Sequence, residues 1–332
     1  MKTHSKILMV VRRRRARIYT YYVFVIIFVL LISDILRYAL RRRSPKKFIN
    51  EIDLFRYANV TWPRQRIPRV IHQTYRTYDI PAIWNVSVQS VMKINAAEFE
   101  YRRWSHADMD TFVRQHEPDF YWNTFVNYPY DIQRVDSFRY VLLFHLGGVY
   151  IDMDDACHRP FREFVATMEA VDCNSTHLAL FLAGELFGVQ NNFMISTAGH
   201  PIYKQFISRL DLFNQNFLIY HVTILLSVGP LYATVQEYFF KQTDKQVVRR
   251  LEHKIYRSMF WKTKGGTWFH RDTLMILHLY YNRHRILWYC FLFAIWLAVL
   301  LIVILLFRQK RLAIFILNLF HWKILNSFSS YK

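Results

Sequence analysis

Hydrophobic residues form two long uncharged runs near the ends of this chain. The first extends from Ile18 to Ile32 without a charge and continues through 33–40 with Asp34 and Arg37 inside, and the second extends from Ile286 to Phe307. About 20 apolar residues in a helix cross a bilayer core. The pattern therefore predicts a transmembrane anchor over 18–40 and a transmembrane helix over 286–307. A cleaved signal peptide would share the basic start and apolar length of the first run, but no small-residue cleavage site follows it.

Between the two runs, the spacing of apolar residues predicts strands that alternate with helices. Gly147 and Gly148 follow one helical pattern, and glycine commonly closes helices. Strands are predicted at 69–73, 99–104 and 149–151, helices at 83–95, 108–116 (capped by Ser105 or Asp108) and 132–146, and an apolar element of either type at 178–187. This alternation predicts an α/β fold with a largely parallel sheet. Such sheets bind ligands at the carboxyl ends of their strands.

The strongly basic composition changes the picture only at the chain ends. The formal net charge is +20, but residues 1–47 hold 13 Lys or Arg and one acid, and residues 283–332 hold seven and none. The part between them, 48–282, has 24 basic and 23 acidic side chains. Basic clusters beside apolar runs favour anionic lipid headgroups as the partner. A nucleic-acid polymer is not expected as a partner, because the central domain has no net excess of basic charge.

Two spans would place both termini on one side of a membrane and the central domain on the other. Asn59, Asn85 and Asn174 each begin a glycosylation sequon in that domain, which favours a lumenal location. In an oxidising lumen Cys157 and Cys173 could pair, or they could remain free thiols.

Three acidic residues, Asp152, Asp154 and Asp155, directly follow the predicted strand at 149–151. Carboxylates this close repel one another, and a divalent cation would remove that repulsion. Oxygen ligands of this kind suit Mg²⁺ or Mn²⁺. An Asp-x-Asp pattern by itself is common in solvated loops, but its place after a buried strand favours a site. A cation held there could neutralise a departing diphosphate.

Another charged group lies on the helix before the glycines. Asp136 and Arg139 are three residues apart and can touch on a helix. From spacing alone, a solvent-exposed ion pair on the helix surface would explain them, and the same interpretation applies to Arg134.

Several motifs in order resemble the glycosyltransferases with an Asp-x-Asp motif, including the fungal-type sphingolipid mannosyltransferases. Within that family, the resemblance is greatest to the catalytic subunits of mannosylinositol phosphorylceramide synthases, and it covers roughly residues 65–305. The matching residues are Ile67-Pro-Arg-Val-Ile-His-Gln-Thr-Tyr75, Arg134-x-Asp-x-x-Arg-Tyr140, Gly147-Gly-Val-Tyr-Ile-Asp-Met-Asp-Asp155, Asn191, Met194, His200-Pro201, Thr223, Ser227-x-Gly229-Pro230 and Lys264-Gly-Gly-Thr-Trp268.

The resemblance implies a GT-A fold, a nucleotide-sugar donor (GDP-mannose), Mn²⁺ or Mg²⁺, and retention of anomeric configuration. It also implies a sphingolipid acceptor, inositol phosphorylceramide, in a Golgi or ER membrane, and a regulatory multi-span membrane subunit as a partner. By carry-over from the family, Asp152 and Asp154 would bind the metal and the donor, and Asp136 and Arg139, beside Tyr140, would bind the sugar. The nucleotide pocket would be lined by His72, Gln73 and Tyr75. The surrounding donor and acceptor surfaces would be formed by Gly147, Gly148, Asn191, Gly229 and Pro230.

The domain organisation that follows has six parts. They are a basic cytosolic N-terminus (1–17), the anchor (18–40), a stem (41–64), the GT-A domain (65–282), the second transmembrane helix (286–307) and a basic, apolar cytosolic tail (308–332).

One motif departs from the family pattern. The family places a metal-binding His directly after the Trp of the late motif, whereas here Phe269 follows Trp268 and His270 comes one place later. The sequence predicts His270 as the third metal ligand, with Asp272 as an alternative. A surface-loop role for His270 is equally compatible with the sequence.

Two other functions remain compatible with the sequence. A glycoprotein α-mannosyltransferase of the same superfamily would share the motifs, although such enzymes commonly have one anchor. A non-catalytic regulatory subunit would retain the fold, and the altered late motif favours that interpretation, whereas the intact Asp152 and Asp154 oppose it.

Overall fold

The computed structural model describes residues 48–57, 65–184, 188–217, 219–266, 269–286, 288–305 and 308. The predicted anchor at 18–40, the flanking residues 1–17 and the tail beyond 308 lie outside the described residues, as does the sequon at Asn59.

The central part of the chain alternates strands with helices, as the sequence predicted. The strands are β1 (Phe48–Ile49), β2 (Val70–Thr74), β3 (Glu100–Trp104), β4 (Gly148–Ile151), β5 (Asp155–Cys157), β6 (His177–Ala183), β7 (Val189–Ser196), β8 (Gln246–Leu251) and β9 (Phe260–Lys262). The α-helices are α1 (Glu51–Tyr57), α2 (Asn85–Asn95), α3 (His106–His116), α4 (Pro118–Asn123), α5 (Asp131–His145), α6 (Arg162–Val171), α7 (Pro201–Phe213), α8 (Tyr220–Ser227), α9 (Pro230–Phe239), α10 (His253–Met259) and α11 (Arg271–Tyr281).

Seven strands form one mixed sheet in the order β1-β8-β6-β7-β4-β2-β3. Four of its six strand pairs are parallel, and β7 is antiparallel to both of its neighbours. The prediction of an α/β fold with a largely parallel sheet is confirmed. The sheet also contains β1, so it begins earlier in the chain than the predicted domain start at residue 65.

The sheet separates two hydrophobic clusters because side chains alternate between its faces. Tyr150 packs on one side with α5 and α7, whereas Val149 and Ile151 pack on the other with α6. All three are fully buried. A strand buried on both faces must end where its backbone leaves this core. The residues after Ile151 therefore lie at the carboxyl end of β4.

Two predicted helix boundaries have clear physical causes. Ser105 caps α3 and forms a capping box with Asp108, in which each side chain accepts from the other residue's backbone N–H. After α5, Gly147 has a φ of 66°, and a Cβ there would lie 2.6 Å from the backbone nitrogen of Ala198. Only glycine fits this turn, which redirects the chain into β4.

The cysteines do not pair in this structure. Cys157 is a buried free thiol and Cys173 is an exposed one. Burial raises the pKa of the Cys157 thiol to about 11. The disulfide that the sequence left open is therefore absent among the described residues.

The described residues from 275 onward belong to a separate compact unit. Within its described part, Arg283–Leu305 is a helix of 23 residues that is long and apolar enough to cross a membrane. It overlaps the predicted transmembrane segment at 286–307.

Candidate active site

Three acidic residues occupy the turn that leaves the carboxyl end of β4. Asp152 follows Ile151 directly, Asp154 lies in the turn, and Asp155 begins β5. The Asp152 N–H donates to the Asn192 carbonyl at 2.9 Å, and the Asp155 N–H donates to the Asp152 carbonyl at 3.1 Å. These backbone bonds fix the turn, and Asp152 and Asp155 are near enough to Asp154 to raise the pKa of its carboxyl.

Arg139 connects this turn to helix α5. Its Nη2 lies 2.8 Å from Asp136 and 3.3 Å from Asp152, and its Nη1 donates to the Asn191 carbonyl at 2.7 Å. The guanidinium also stacks 4.7 Å from the ring centre of Tyr150. Asp136 and Arg139 are only 5% and 3% exposed, so the interpretation of a solvent-exposed pair is wrong.

Asp155 has partners on the side away from Arg139. Its Oδ2 accepts from the Asn192 amide at 2.7 Å, and its Oδ1 lies 3.2 Å from the ammonium of Lys262. Lys262 reaches this position because β9 pairs antiparallel with β5, with Asp155 opposite Lys262. A lysine more than 100 residues later in the chain thus becomes a second cation of the site.

The site carries more negative than positive charge. Four carboxylates (Asp136, Asp152, Asp154 and Asp155) face two cations, Arg139 and Lys262.

The pKa values reflect this surplus of negative charge. Burial, with added repulsion from Asp152 and Asp155, raises the pKa of Asp154 to about 7. Burial also raises the pKa of Asp136 to about 6, although Arg139 opposes the shift. Carboxylates with raised pKa values bind a proton or a cation readily.

A divalent cation fits this donor set. Two unbalanced negative charges match one Mg²⁺ or Mn²⁺, and Mg²⁺ is often held by one or two carboxylates together with substrate phosphates and water. Asp152 and Asp154 would supply the carboxylates. Among the described residues, no three His, Cys, Asp or Glu side chains are grouped to hold a metal.

The loop after β9 encloses Asp154. The Thr263 N–H donates to the Asp154 carbonyl at 2.9 Å. A Cβ on Gly265 would lie 2.1 Å from the Asp154 Oδ2, so a side chain there would displace the carboxylate. This gives a physical reason for the glycine in the Lys264-Gly265-Gly266 motif.

His270 is not grouped with Asp152 and Asp154 as a third ligand in this structure. The His270 ring stacks on Tyr220 with ring centres 4.0 Å apart. The backbone N–H of His270 donates to the Thr273 hydroxyl at 3.4 Å. Asp272 accepts from the His221 N–H at 2.8 Å. His270 as a metal ligand, and Asp272 as its alternative, therefore stay predictions.

The residues predicted for the nucleotide pocket lie on β2 and just beyond it. His72 and Gln73 are fully buried, and both ring nitrogens of His72 have partners, the Gly147 carbonyl at 3.0 Å and Trp104 Nε1 at 3.2 Å. Burial lowers the pKa of His72 to about 4, so the ring is neutral. Gln73 donates to the Asp152 carbonyl at 3.3 Å. His72 and Gln73 thus support the strand ends, and Tyr75 packs edge-on against Trp84.

Other predicted site residues surround the Asp136–Arg139 pair or shape the backbone. Tyr140 is buried, donates to the Val228 carbonyl at 2.6 Å and receives a bond from the Asn191 amide at 3.3 Å. Gly229 caps α9, whose first residue is Pro230. Gly147 and Gly148 both have positive φ and pack against neighbouring backbone.

Comparison with known proteins agrees with this geometry. Residues 81–171, which contain Asp136, Arg139 and the acidic turn, match the family described as the glycosyltransferase sugar-binding region containing DXD motif. Over these residues the chain is similar to the glycosyltransferases that carry this DXD region.

Proteins similar to this chain come from two yeasts. Mannosyl phosphorylinositol ceramide synthases SUR1 and CSH1 of Saccharomyces cerevisiae are 33% and 31% identical over 64% and 62% of this chain. Inositol phosphoceramide mannosyltransferase 1 of Schizosaccharomyces pombe is 29% identical over 74% of this chain and 76% of its own length. The match to each of the two S. cerevisiae proteins spans 54% of that protein's length.

Two cations near the candidate site were not predicted from the sequence. Lys262 acts through the pairing of β5 with β9, and Arg103 lies at the end of β3 beside Gln73. Both contacts join residues distant in sequence, so neither has a local signal. The Gly-Gly motif after Lys262 was the one available indication of a close approach.

Proposed function

We propose that this chain transfers mannose from GDP-mannose to the inositol headgroup of inositol phosphorylceramide, with retention of configuration. The observation that carries the proposal is the net negative cluster at the carboxyl end of β4, held by the buried Arg139, in a chain whose relatives are named for this reaction. The donor, the acceptor and the Golgi location come from the resemblance. The fold proposed for the catalytic domain is GT-A.

The protein's own residues would orient the donor and stabilise the departing charge. Asp152 and Asp154 are the residues that would hold Mn²⁺ or Mg²⁺, which when bound neutralises the diphosphate of the donor. Asp136 and Arg139, locked to each other at 2.8 Å, would present a fixed carboxylate and guanidinium to the hydroxyls of the sugar. Fixed charges in a buried site lower the barrier because they need no reorganisation during reaction.

In the reaction, an inositol hydroxyl attacks the anomeric carbon as the bond from that carbon to the diphosphate oxygen breaks. The new glycosidic bond forms on the face that the leaving group vacates. The hydroxyl proton passes to a phosphate oxygen of the leaving group, so the step is balanced without a side-chain nucleophile.

A lipid acceptor accounts for the apolar helix of the second unit. Its 23 residues suffice to span a bilayer, and its apolar side chains, such as Trp288 and Phe291, are more than half exposed. Lipid would cover them. We infer a membrane enzyme with a lumenal catalytic domain. The exposed Asn174 and Asn85 are the described sequon residues available for testing this orientation. A regulatory multi-span subunit is proposed as a partner from the resemblance.

The test is transfer by the purified full chain. Labelled GDP-mannose, inositol phosphorylceramide and Mn²⁺ are incubated with the wild type and with Asp154→Asn, and the lipid product is separated and its anomeric configuration determined. We expect labelled lipid with the wild type and none with the variant. Label in protein acceptors instead of lipid would support a glycoprotein mannosyltransferase. No transfer to either acceptor by a folded wild-type protein would support a non-catalytic subunit.

A further inference from the structure

Arg103 lies at the carboxyl end of the edge strand β3, on the face that carries Gln73. In the parallel β2–β3 pair Gln73 is opposite Arg103, and paired residues project to the same side of the sheet. Tyr101, two residues earlier, confirms the direction, because its hydroxyl donates to the Gln73 Oε1 at 2.7 Å. Trp104 projects to the other face, where it contacts His72.

Arg103 is half-buried, and two nitrogens of its guanidinium lack an acceptor. Its Nε and Nη1 are buried and have no hydrogen-bond partner among the residues that the structure describes. Its one aromatic contact there is Tyr78, whose ring centre is 5.9 Å away. Buried polar groups in native proteins are nearly always hydrogen-bonded, and one explanation of an exception is a ligand or ion that binds there.

The distance from the acidic turn indicates which part of a nucleotide sugar could reach Arg103. The strand order β4-β2-β3 puts β3 two strand spacings, roughly 10 Å, from the strand that leads to Asp152. The diphosphate belongs at Asp152 and Asp154 with the cation. A group roughly 10 Å farther along the donor is the nucleobase.

One aromatic side chain beside Arg103, Tyr78, is 55% exposed and suits a planar base. Tyr75 and Trp84 pack with ring centres 5.5 Å apart in the segment that follows β2, and Tyr78 lies in the same segment. Aromatic faces of this kind stack on nucleobases.

We propose that Arg103 reads the guanine base of the nucleotide-sugar donor. This inference rests on the proposed function and names the residue that selects its donor. A guanidinium has only donors, in a fixed fork, and guanine presents two neighbouring acceptors, O6 and N7. Uracil has no such pair of acceptors on one edge. Arg103 would therefore favour guanosine over uridine nucleotides.

Binding of nucleoside diphosphates in the presence of Mn²⁺ tests the proposal. The full chain in detergent is titrated with GDP, UDP and 7-deaza-GDP, which lacks the N7 acceptor. We expect the wild type to prefer GDP to UDP, and Arg103→Gln to weaken GDP binding about tenfold with little effect on UDP. Removal of N7 should weaken binding to the wild type and leave binding to Arg103→Gln nearly unchanged.

Two variants serve as controls. Arg102→Gln changes the neighbouring arginine, which projects to the opposite face, is 45% exposed and pairs with Glu100 at 2.6 Å. It should keep the wild-type ratio of GDP to UDP affinity. Arg103→Lys keeps the charge and can still donate to O6 and N7 without the fixed fork, so it should keep part of the guanine preference that Arg103→Gln loses.

Three results would overturn the inference. An equal loss of GDP and UDP affinity in Arg103→Gln would indicate a phosphate contact. Unchanged selectivity with a lower melting temperature would indicate a purely structural role. A loss of affinity for 7-deaza-GDP as large in Arg103→Gln as in the wild type would show that Arg103 does not contact N7.

Nucleotide binding requires neither the acceptor nor transfer, so failure of the proposed function is distinguishable. A wild type that selects GDP through Arg103 but mannosylates no lipid would refute the proposed function alone.

Discussion

Two buried clusters of charge on opposite sides of this domain differ in how completely their carboxylates are matched. On α6, the 1%-exposed Glu169 accepts from the N–H groups of Arg66 and Ile67 at 2.6 and 2.9 Å and pairs with Arg69 at 3.1 Å. Arg66 in turn donates to the Glu169 and Asp172 carbonyls. Every charge in this cluster meets an opposite charge or a backbone dipole, and the cluster fastens the segment before β2 to α6.

The acidic turn after β4 is built differently. Asp152, Asp154 and Asp155 share Arg139 and Lys262 with Asp136, and burial and mutual repulsion raise the pKa of Asp154 to about 7. A cluster whose charges are all paired stabilises the fold. A cluster with surplus negative charge stabilises the fold less until a ligand binds. Strain of this kind is characteristic of functional sites. The comparison therefore predicts opposite responses to mutation in the two clusters.

The largest effect is expected for Asp154→Asn, which removes one of the unmatched charges. Transfer should fall roughly 10²–10³-fold or more, because a preorganised electrostatic contact to the reacting groups is lost. The melting temperature without metal should stay the same or rise. Transfer assays and thermal melts of the detergent-purified chain measure both, with Asp244→Asn, an exposed aspartate, as the matched control. Near wild-type transfer by Asp154→Asn would contradict the metal assignment.

Glu169→Ala should do the reverse. It leaves Arg69 without its carboxylate and the backbone N–H groups of Arg66 and Ile67 without an acceptor, and breaking a buried ion pair costs about 3–5 kcal/mol. The chain should melt at a clearly lower temperature, while the Mn²⁺ affinity of the folded fraction stays unchanged. Glu169→Gln, which keeps one acceptor oxygen, should lose less stability. If Glu169→Ala lowered Mn²⁺ affinity as much as stability, the two clusters would be coupled and the comparison would fail.

Much of the structure that positions the acidic turn could be predicted from the sequence, because it depends on local signals. Ser105 and Asp108 encode the cap of α3, Gly147 encodes the left-handed turn before β4, and the apolar residues 149–151 encode the buried strand that places Asp152 at its end. Each of these features depends on neighbours within a few residues. The prediction of acidic residues at the carboxyl end of a buried strand followed from them.

The remaining features depend on pairings between distant segments. β7 and β8 carry polar residues among apolar ones, and their order in the sheet has no local signature. Lys262 enters the site only through β9, and Arg103 only because β3 lies beside β2. The burial of the Asp136–Arg139 pair likewise reflects packing around α5, whereas spacing alone suggested an exposed pair.

A smaller effect, on the pH dependence of stability, separates the clusters without a change in fold. The folded-state pKa of Asp154, about 7, is above the ordinary value of 3.8. Ionisation therefore penalises the folded state progressively between about pH 4 and pH 7, and the penalty is full above pH 7. With EDTA present, the wild type should melt at a higher temperature at pH 5 than at pH 8, and Asp154→Asn should show a smaller difference. The same difference in both proteins would show that Asp154 is not the group responsible.

The smallest effect is expected for Lys262→Met, and its sign is more informative than its size. The Lys262 side chain is 50% exposed, so its pairing with Asp155 at 3.2 Å should contribute no more than about 1 kcal/mol to stability.

Loss of this cation makes the cluster more negative. Mn²⁺ should therefore bind the free protein about two- to fivefold more tightly, within the range that about 1 kcal/mol allows. A diphosphate bound at saturating Mn²⁺ should bind more weakly, because a positive neighbour is gone. Titrations of Mn²⁺ and then of GDP measure the two affinities. The control is Lys241→Met, which changes an exposed lysine just after α9 and should alter neither affinity. A structural role for Lys262 would shift both affinities in the same direction, so opposite shifts are the outcome that only a surplus of negative charge explains.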